Sequence, residues 1–122
     1  MQLRRLGFSL VAVAILGAAA GVATEDRLRI EVAPPISPAP AVVRVRAIVA
    51  PDASNRSLQI VVESGDYYRS SLFPLDGANA PLITEAMFKN LPGGEYVVDV
   101  VLVDANGGQL SDRRQILVTA TR

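Results

Sequence analysis

The chain has 122 residues, half of them hydrophobic, with 12 basic and 12 acidic side chains and a formal net charge of zero. It contains no His, Cys or Trp, which excludes Ser-His-Asp and Cys-His nucleophile systems and imidazole or thiolate metal sites. We therefore expect no cofactor, no metal and no enzymatic activity. The balanced charge also gives no basic surface of the kind that nucleic acid requires.

The first 23 residues have the layout of a secretory signal peptide. A basic start precedes an uncharged run over residues 6–23, and the chain turns polar at Thr24. Small side chains just before Thr24 suit signal peptidase and favour cleavage there, while retention of the run as an apolar membrane helix is the alternative. Both outcomes export residues 24–122. We predict a periplasmic or extracellular protein, tethered to the inner membrane only if residues 6–23 are kept.

The mature chain is predicted to be one all-β domain. Seven segments are predicted to be strands, and several of them alternate between apolar and polar residues, which is typical of half-buried strands. These segments are 24–33, 42–49, 57–63, 67–75, 82–88, 96–103 and 115–119. The proline-rich segment 34–40 is expected to form an extended edge or a crossing between sheets, because proline cannot donate to a strand ladder. About seven strands separated by turn signals predict a two-sheet antiparallel sandwich over residues 24–122.

The segment LPGGEYVVDV at residues 91–100 resembles fibronectin type III and related bacterial immunoglobulin-like domains. In those domains a leucine and a tyrosine bracket the turn into the sixth strand, and Leu91 and Tyr96 stand at matching positions. The resemblance implies an immunoglobulin-like sandwich with a tyrosine corner, in which the Tyr96 hydroxyl donates to upstream backbone. It implies no particular function, because sandwiches carry many unrelated roles.

Oxygen donors in the turn after residue 103 offer a possible calcium loop. Asp104, Asn106 and Gln109 lie at spacings that such a loop uses, but the closing glutamate is missing. An ordinary Asn-Gly hairpin is therefore the favoured interpretation. A looser calcium site that combines Asp52, Asn55 and Asp104 has no support from the spacing.

The strand at 96–103 is apolar on both of its faces. One face is needed for the core, whereas a solvated sandwich face should alternate to polar residues. The side away from the core is expected to hold Val61, Val97, Asp99, Val101, Val103 and Leu117. Two interpretations stay open, the β-propensity of valine and a docking face for another envelope protein or subunit. Asp99 is expected to pair with Arg113 or Arg114 at its rim.

A second candidate site is aromatic. Tyr67, Tyr68 and Arg69 could contact a sugar through their flat side chains. The carboxylates that flank them are Glu63, Asp66 and Asp76. Paired carboxylates also serve glycoside hydrolases, but one small sandwich offers little room for a substrate cleft.

These observations predict an exported, non-catalytic binding or assembly module of the bacterial cell envelope. Its protein-binding residues are expected to be Val61, Val97, Asp99, Val101 and Val103, and its partner another envelope protein or subunit. The alternative is a small carbohydrate- or cell-wall-binding module that uses Tyr67, Tyr68 and Arg69 to hold a glycan. A hydrolase is a weaker third hypothesis.

Overall fold

The computed structural model describes residues 27–120, which form eight strands in two sheets. The strands are β1 (Leu28–Ala33), β2 (Ile36–Pro38), β3 (Ala41–Val49), β4 (Asn55–Glu63), β5 (Tyr68–Pro74), β6 (Ile83–Leu91), β7 (Gly94–Asp104) and β8 (Gln109–Thr119). One sheet has the order β1-β3-β6 and the other the order β2-β8-β7-β4-β5. The prediction of an all-β, two-sheet fold is confirmed. The predicted N-terminal apolar helix lies outside the described residues.

The proline-rich segment supplies the eighth strand, which the sequence-based count of seven omits. It leaves β1, crosses to the other sheet and pairs β2 with β8 in parallel, whereas all other pairs are antiparallel. The Leu117 amide donates to the Pro35 carbonyl at 2.9 Å, and the Ala39 amide donates to the Thr119 carbonyl at 2.8 Å. The expectation of a wholly antiparallel sandwich is therefore wrong at β2, because the crossing segment runs in the same direction as β8.

The core lies between the two sheets and is built from the alternating inward positions of their strands. Val43, Val45 and Ala47 of β3 face the second sheet and are fully buried, as are Val98 and Val100 of β7. Each fully buried valine stabilises the fold by about 1.5–3 kcal/mol relative to an exposed one. Within residues 27–120 no helix is long and apolar enough to cross a membrane.

A tyrosine corner fixes the start of β7. The Tyr96 hydroxyl donates to the Pro92 carbonyl at 2.6 Å, and the Tyr96 ring meets that of Tyr67 edge to face, with centroids 5.4 Å apart. Leu91 is fully buried on the other side of the turn, as the resemblance implies. Burial, and to a smaller extent the neighbouring Tyr67, raises the pKa of Tyr96 above its ordinary value.

The turn between β7 and β8 is a closed hairpin. One carboxylate oxygen of Asp104 accepts the backbone N–H groups of Asn106 and Gly108, both at 2.8 Å. Gly107 has a φ of +83°, in the left-handed region that glycine adopts without steric cost. The interpretation as an Asn-Gly hairpin matches this geometry. Within residues 27–120 no three acidic side chains converge as a metal site would require.

Candidate functional site

A groove of about 450 Å³ opens where β2, β8 and β7 lie side by side. Its lining consists of Pro35, Ile36, Glu95, Tyr96, Val97, Gln115, Ile116 and Leu117. Pockets for small ligands typically span about 300–1,000 Å³ and are mostly apolar with a few polar groups. The groove matches both criteria, since Glu95 and Gln115 are its only charged or amide side chains.

The strand register brings the lining together. Leu117 of β8 pairs with Ile36 of β2 on one side and with Glu95 of β7 on the other. Paired residues point to the same side of a sheet, so these three side chains form one row on the side away from the core, which we call the outer face. Ile36 is 64% exposed and Leu117 39% exposed. Two large hydrophobic side chains thus lie next to each other and open to solvent.

The charge of the groove is negative. Glu95 takes part in none of the salt bridges found among residues 27–120. The basic side chains of β8 are paired elsewhere, Arg113 with Asp99 at 3.3 Å and Arg114 with Asp112 at 2.8 Å. The carboxylate in the groove is therefore left without a basic partner in the described part of the chain.

The residues predicted to bind protein do lie on the outer face, but they form a narrow stripe. Val97, Val101 and Val103 are half-buried along β7, and each is paired with polar residues on both neighbouring strands. Asp99 pairs with Val61 on one side and forms a salt bridge with Arg113 on the other. The apolar surface is one strand wide apart from Val61. Its use in protein contact stays a prediction.

The predicted sugar-binding residues do not share a surface. Tyr67 packs inward against Tyr96, and the Arg69 guanidinium lies 5.6 Å from the centre of the Tyr67 ring. Tyr68 points the other way, is 62% exposed and pairs with Glu63 on the outer face. Tyr67 lies just before β5 begins, and its ring packs inward while that of Tyr68 lies on the outer face. The three side chains therefore do not form one aromatic platform.

The polar groups of the loops near Asp52 form hydrogen bonds within those loops. One carboxylate oxygen of Asp52 accepts from the Ser54 backbone N–H at 2.8 Å and from the Ser54 hydroxyl at 2.7 Å. These two bonds lower the pKa of Asp52; partial desolvation opposes the shift, and the charge of Arg27 adds to it. The buried Asn55 donates to the Ala50 carbonyl at 3.0 Å. The Asp52 carboxylate and the Asn55 amide nitrogen therefore have local structural roles, while the Asn55 amide oxygen is buried without a hydrogen-bond partner.

No protein-family model matches the sequence, and a search of curated proteins finds no match. Among solved structures, a superoxide reductase (neelaredoxin) from Ignicoccus hospitalis is similar, with a TM-score of 0.61 and 17% identity over 75% of this chain and 80% of that one. Two further structures of that protein have TM-scores of 0.60 at 19% identity and cover 79% of that chain. A family 76 glycoside hydrolase from a bovine Bacteroides thetaiotaomicron strain has a TM-score of 0.52 at 17% identity. It covers 75% of this chain but only 20% of the hydrolase.

These likenesses correct two predictions. The function predicted above, a non-catalytic binding or assembly module with a carbohydrate-binding module as its alternative, is contradicted, because the similar structures are those of a redox enzyme. The family prediction is confirmed only as far as an all-β sandwich, since the similar structures are not specifically immunoglobulin or fibronectin type III domains. The likeness also gives no support to the expectation that the chain is not an enzyme. Identity of 17–19% shows a shared fold and leaves the reaction unassigned.

The residues present do not fit the centre that superoxide reduction implies. That reaction transfers one electron, and proteins hold redox-active iron or copper with imidazole, thiolate and carboxylate ligands. The sequence contains neither His nor Cys, and no three carboxylates converge within residues 27–120. We assign no electron-transfer step to this chain.

Proposed function

We propose that the chain binds a small, largely apolar molecule in the groove formed by β2, β7 and β8. The observation that carries the proposal is the pair of exposed side chains Ile36 and Leu117, which lie side by side in a concavity of about 450 Å³. Exposed apolar surface is common, but it marks a binding site when it is contiguous and concave.

The contacts suggest moderate affinity. A ligand that covers Ile36, Val97 and Leu117 removes their apolar surface from water. This burial favours binding by about 25 cal/mol for each Å² that is covered. Much of that gain is offset by the lost translational and rotational freedom of the ligand. Because the groove is open on one side, we expect dissociation constants between about 10 µM and 1 mM, which correspond to roughly −7 to −4 kcal/mol.

Titration with 1-octanol, followed by NMR of the ¹⁵N-labelled protein, tests the proposal. Amide signals of residues 95–97 and 115–117 should shift together in a saturable way, and Leu117→Ser should weaken binding about fivefold, as loss of a half-buried leucine contact implies. Leu72→Ser is the matched control, because Leu72 is 67% exposed on the outer face of β5, at the opposite edge of the sheet. Shifts scattered over the surface, or an equal effect of both variants, would contradict a site in the groove.

We propose further that the protein is exported. The support is the basic, apolar and small-residue order of residues 1–23, all of which lie outside the described residues. N-terminal sequencing of the protein from a periplasmic fraction should give a start at Thr24, or at Met1 in the inner membrane if the leader is kept. Recovery of the protein from the cytoplasm alone would contradict export.

The assignment to immunoglobulin-like domains is also a proposal. Its support is the bond from the Tyr96 hydroxyl to the Pro92 carbonyl, the tyrosine corner known from fibronectin type III and related sandwiches. A tyrosine corner that contributes nothing to stability would remove this support.

A further inference from the structure

Two carboxylates border the apolar part of the groove. Val97 pairs with Glu63 of β4 on one side and with Gln115 of β8 on the other. Glu95 precedes Val97 by two residues and therefore points to the same side of β7. Glu95 lines the groove itself. Paired neighbours lie about 5 Å apart, so Glu63 lies one strand beyond Val97, next to the groove on the same face.

The basic residues nearest in register do not neutralise these carboxylates. Arg113 is held by Asp99 at 3.3 Å. Arg114 pairs with the inward-facing Val98 in the strand register, which places it on the other side of β8 from the outer face. Arg69 pairs with the buried Val62, so it too lies on the inner side of its sheet. Among residues 27–120 neither Glu63 nor Glu95 forms a salt bridge, so the described part of the chain leaves this end of the outer face negative.

An exposed aromatic ring completes the arrangement. Tyr68 pairs with Glu63 across β4 and β5 and is 62% exposed on the outer face. The faces of aromatic rings attract cations. The apolar side chains Ile36 and Leu117 and the carboxylate of Glu95 thus line the groove, and Glu63 and Tyr68 continue the same face beyond it, towards β5.

From this arrangement we infer that the groove selects a cationic amphiphile, a molecule with a short apolar chain and one ammonium group. The apolar chain lies on Ile36 and Leu117, and the ammonium group lies at Glu95, on the side that faces Glu63. This inference rests on the proposed small-molecule site and adds the charge of its ligand. Because exposed ion pairs contribute at most about 1 kcal/mol each, the preference amounts to about fivefold per carboxylate.

Three probes of equal chain length separate the effect of the ligand's charge from that of apolar contact with the groove. Octylamine, 1-octanol and octanoate are titrated into the ¹⁵N-labelled protein at neutral pH and low salt. Octylamine should bind about five- to tenfold more tightly than 1-octanol, and octanoate more weakly than either. The preference for octylamine should shrink in about 1 M salt, which screens charges beyond about 3 Å. Glu95→Gln should lower the affinity for octylamine about fivefold more than it lowers the affinity for 1-octanol.

Glu31→Gln is the control, because Glu31 is exposed on the sheet that the groove does not touch. If 1-octanol binds in the groove but octylamine binds no better, or Glu95→Gln acts no more strongly than Glu31→Gln, the cationic preference is wrong and the groove remains. If no probe shifts the amide signals of residues 95–97 and 115–117, the groove is not a binding site. Both the small-molecule site and the cationic preference are then wrong.

Discussion

The three tyrosines of the chain allow one chemical change to be tested in three environments. Replacing each by phenylalanine deletes a hydroxyl and keeps the ring. The Tyr96 hydroxyl donates to the Pro92 carbonyl at 2.6 Å, the Tyr67 hydroxyl is buried without a hydrogen-bond partner, and Tyr68 is 62% exposed. The structure therefore predicts a different change in stability for each of the three replacements.

Tyr96→Phe should destabilise the domain by about 1–2 kcal/mol, because it removes a bond and leaves a carbonyl without its donor. For a domain of about 100 residues this lowers the melting temperature by roughly 4–15 °C. Tyr67→Phe should be neutral or stabilising by up to about 1 kcal/mol, because a buried hydroxyl without a partner carries a desolvation cost. Tyr68→Phe should change stability by less than about 0.5 kcal/mol.

Urea unfolding followed by circular dichroism measures all three variants on one scale. At a slope of about 1–2 kcal/mol per M, Tyr96→Phe should lower the midpoint by about 0.5–2 M, with the slope unchanged. A loss in Tyr67→Phe as large as that in Tyr96→Phe would refute the reasoning, because it would show that the Tyr67 hydroxyl has a bonding partner. Equal and small effects at all three positions would show that the tyrosine corner does not stabilise the fold.

Three further predictions address the core, a loop and metal binding. Val100→Ala should cost about 2–3 kcal/mol and Val101→Ala less than about 1 kcal/mol in the same urea assay, because the first is fully buried and the second half-buried on the outer face. Equal losses of stability in the two variants would contradict the strand register, which places Val100 inward and Val101 outward. Asp52 should titrate by NMR below the ordinary aspartate value of about 3.9. Ser54→Ala should raise its pKa only part of the way, because it removes the hydroxyl bond and keeps the backbone N–H bond. The stabilisation linked to Asp52 is then complete above that ordinary value and lost as pH falls through the lowered pKa. Protein purified from iron-supplemented cells should contain far less than one equivalent of iron and should not consume superoxide, because the sequence offers no imidazole or thiolate ligand; stoichiometric iron would overturn this.

Most strands could be predicted from the sequence because one face of each is buried. In β4, Leu58, Ile60 and Val62 alternate with half-buried or exposed residues, so period two is visible in the residue types. The first half of β8 shows no such pattern, because its inward positions include Asp112 and Arg114, which pair with each other. This half is held in extended conformation by its pairing with β7 across the hairpin. Its strand structure therefore depends on its pairing partner and not on its composition.

The groove could not be predicted because it depends on a contact between distant parts of the chain. Ile36 is the one large apolar residue among the prolines of 34–40, and this is the only local signal. Its parallel pairing with Leu117 depends on which strand of the other sheet the crossing segment reaches. No pattern in a short stretch of sequence shows this. The prediction of an aromatic sugar platform was wrong for the opposite reason. Tyr67 and Tyr68 are adjacent in sequence, but the ring of Tyr67 packs inward while that of Tyr68 lies on the outer face.

The likeness to superoxide reductases and the lack of suitable metal ligands are compatible. A sandwich fold is specified by its inward residues, and here those are aliphatic side chains such as Val43, Ile60 and Val100. Any such core supports the same two sheets, so fold similarity constrains the inward positions and leaves the outward ones free. At the β2–β8–β7 edge the outward positions supply Ile36, Leu117 and Glu95 rather than imidazoles or thiolates. The shared fold therefore predicts the architecture of this chain, and the chemistry of its groove has to be determined from the groove's own residues.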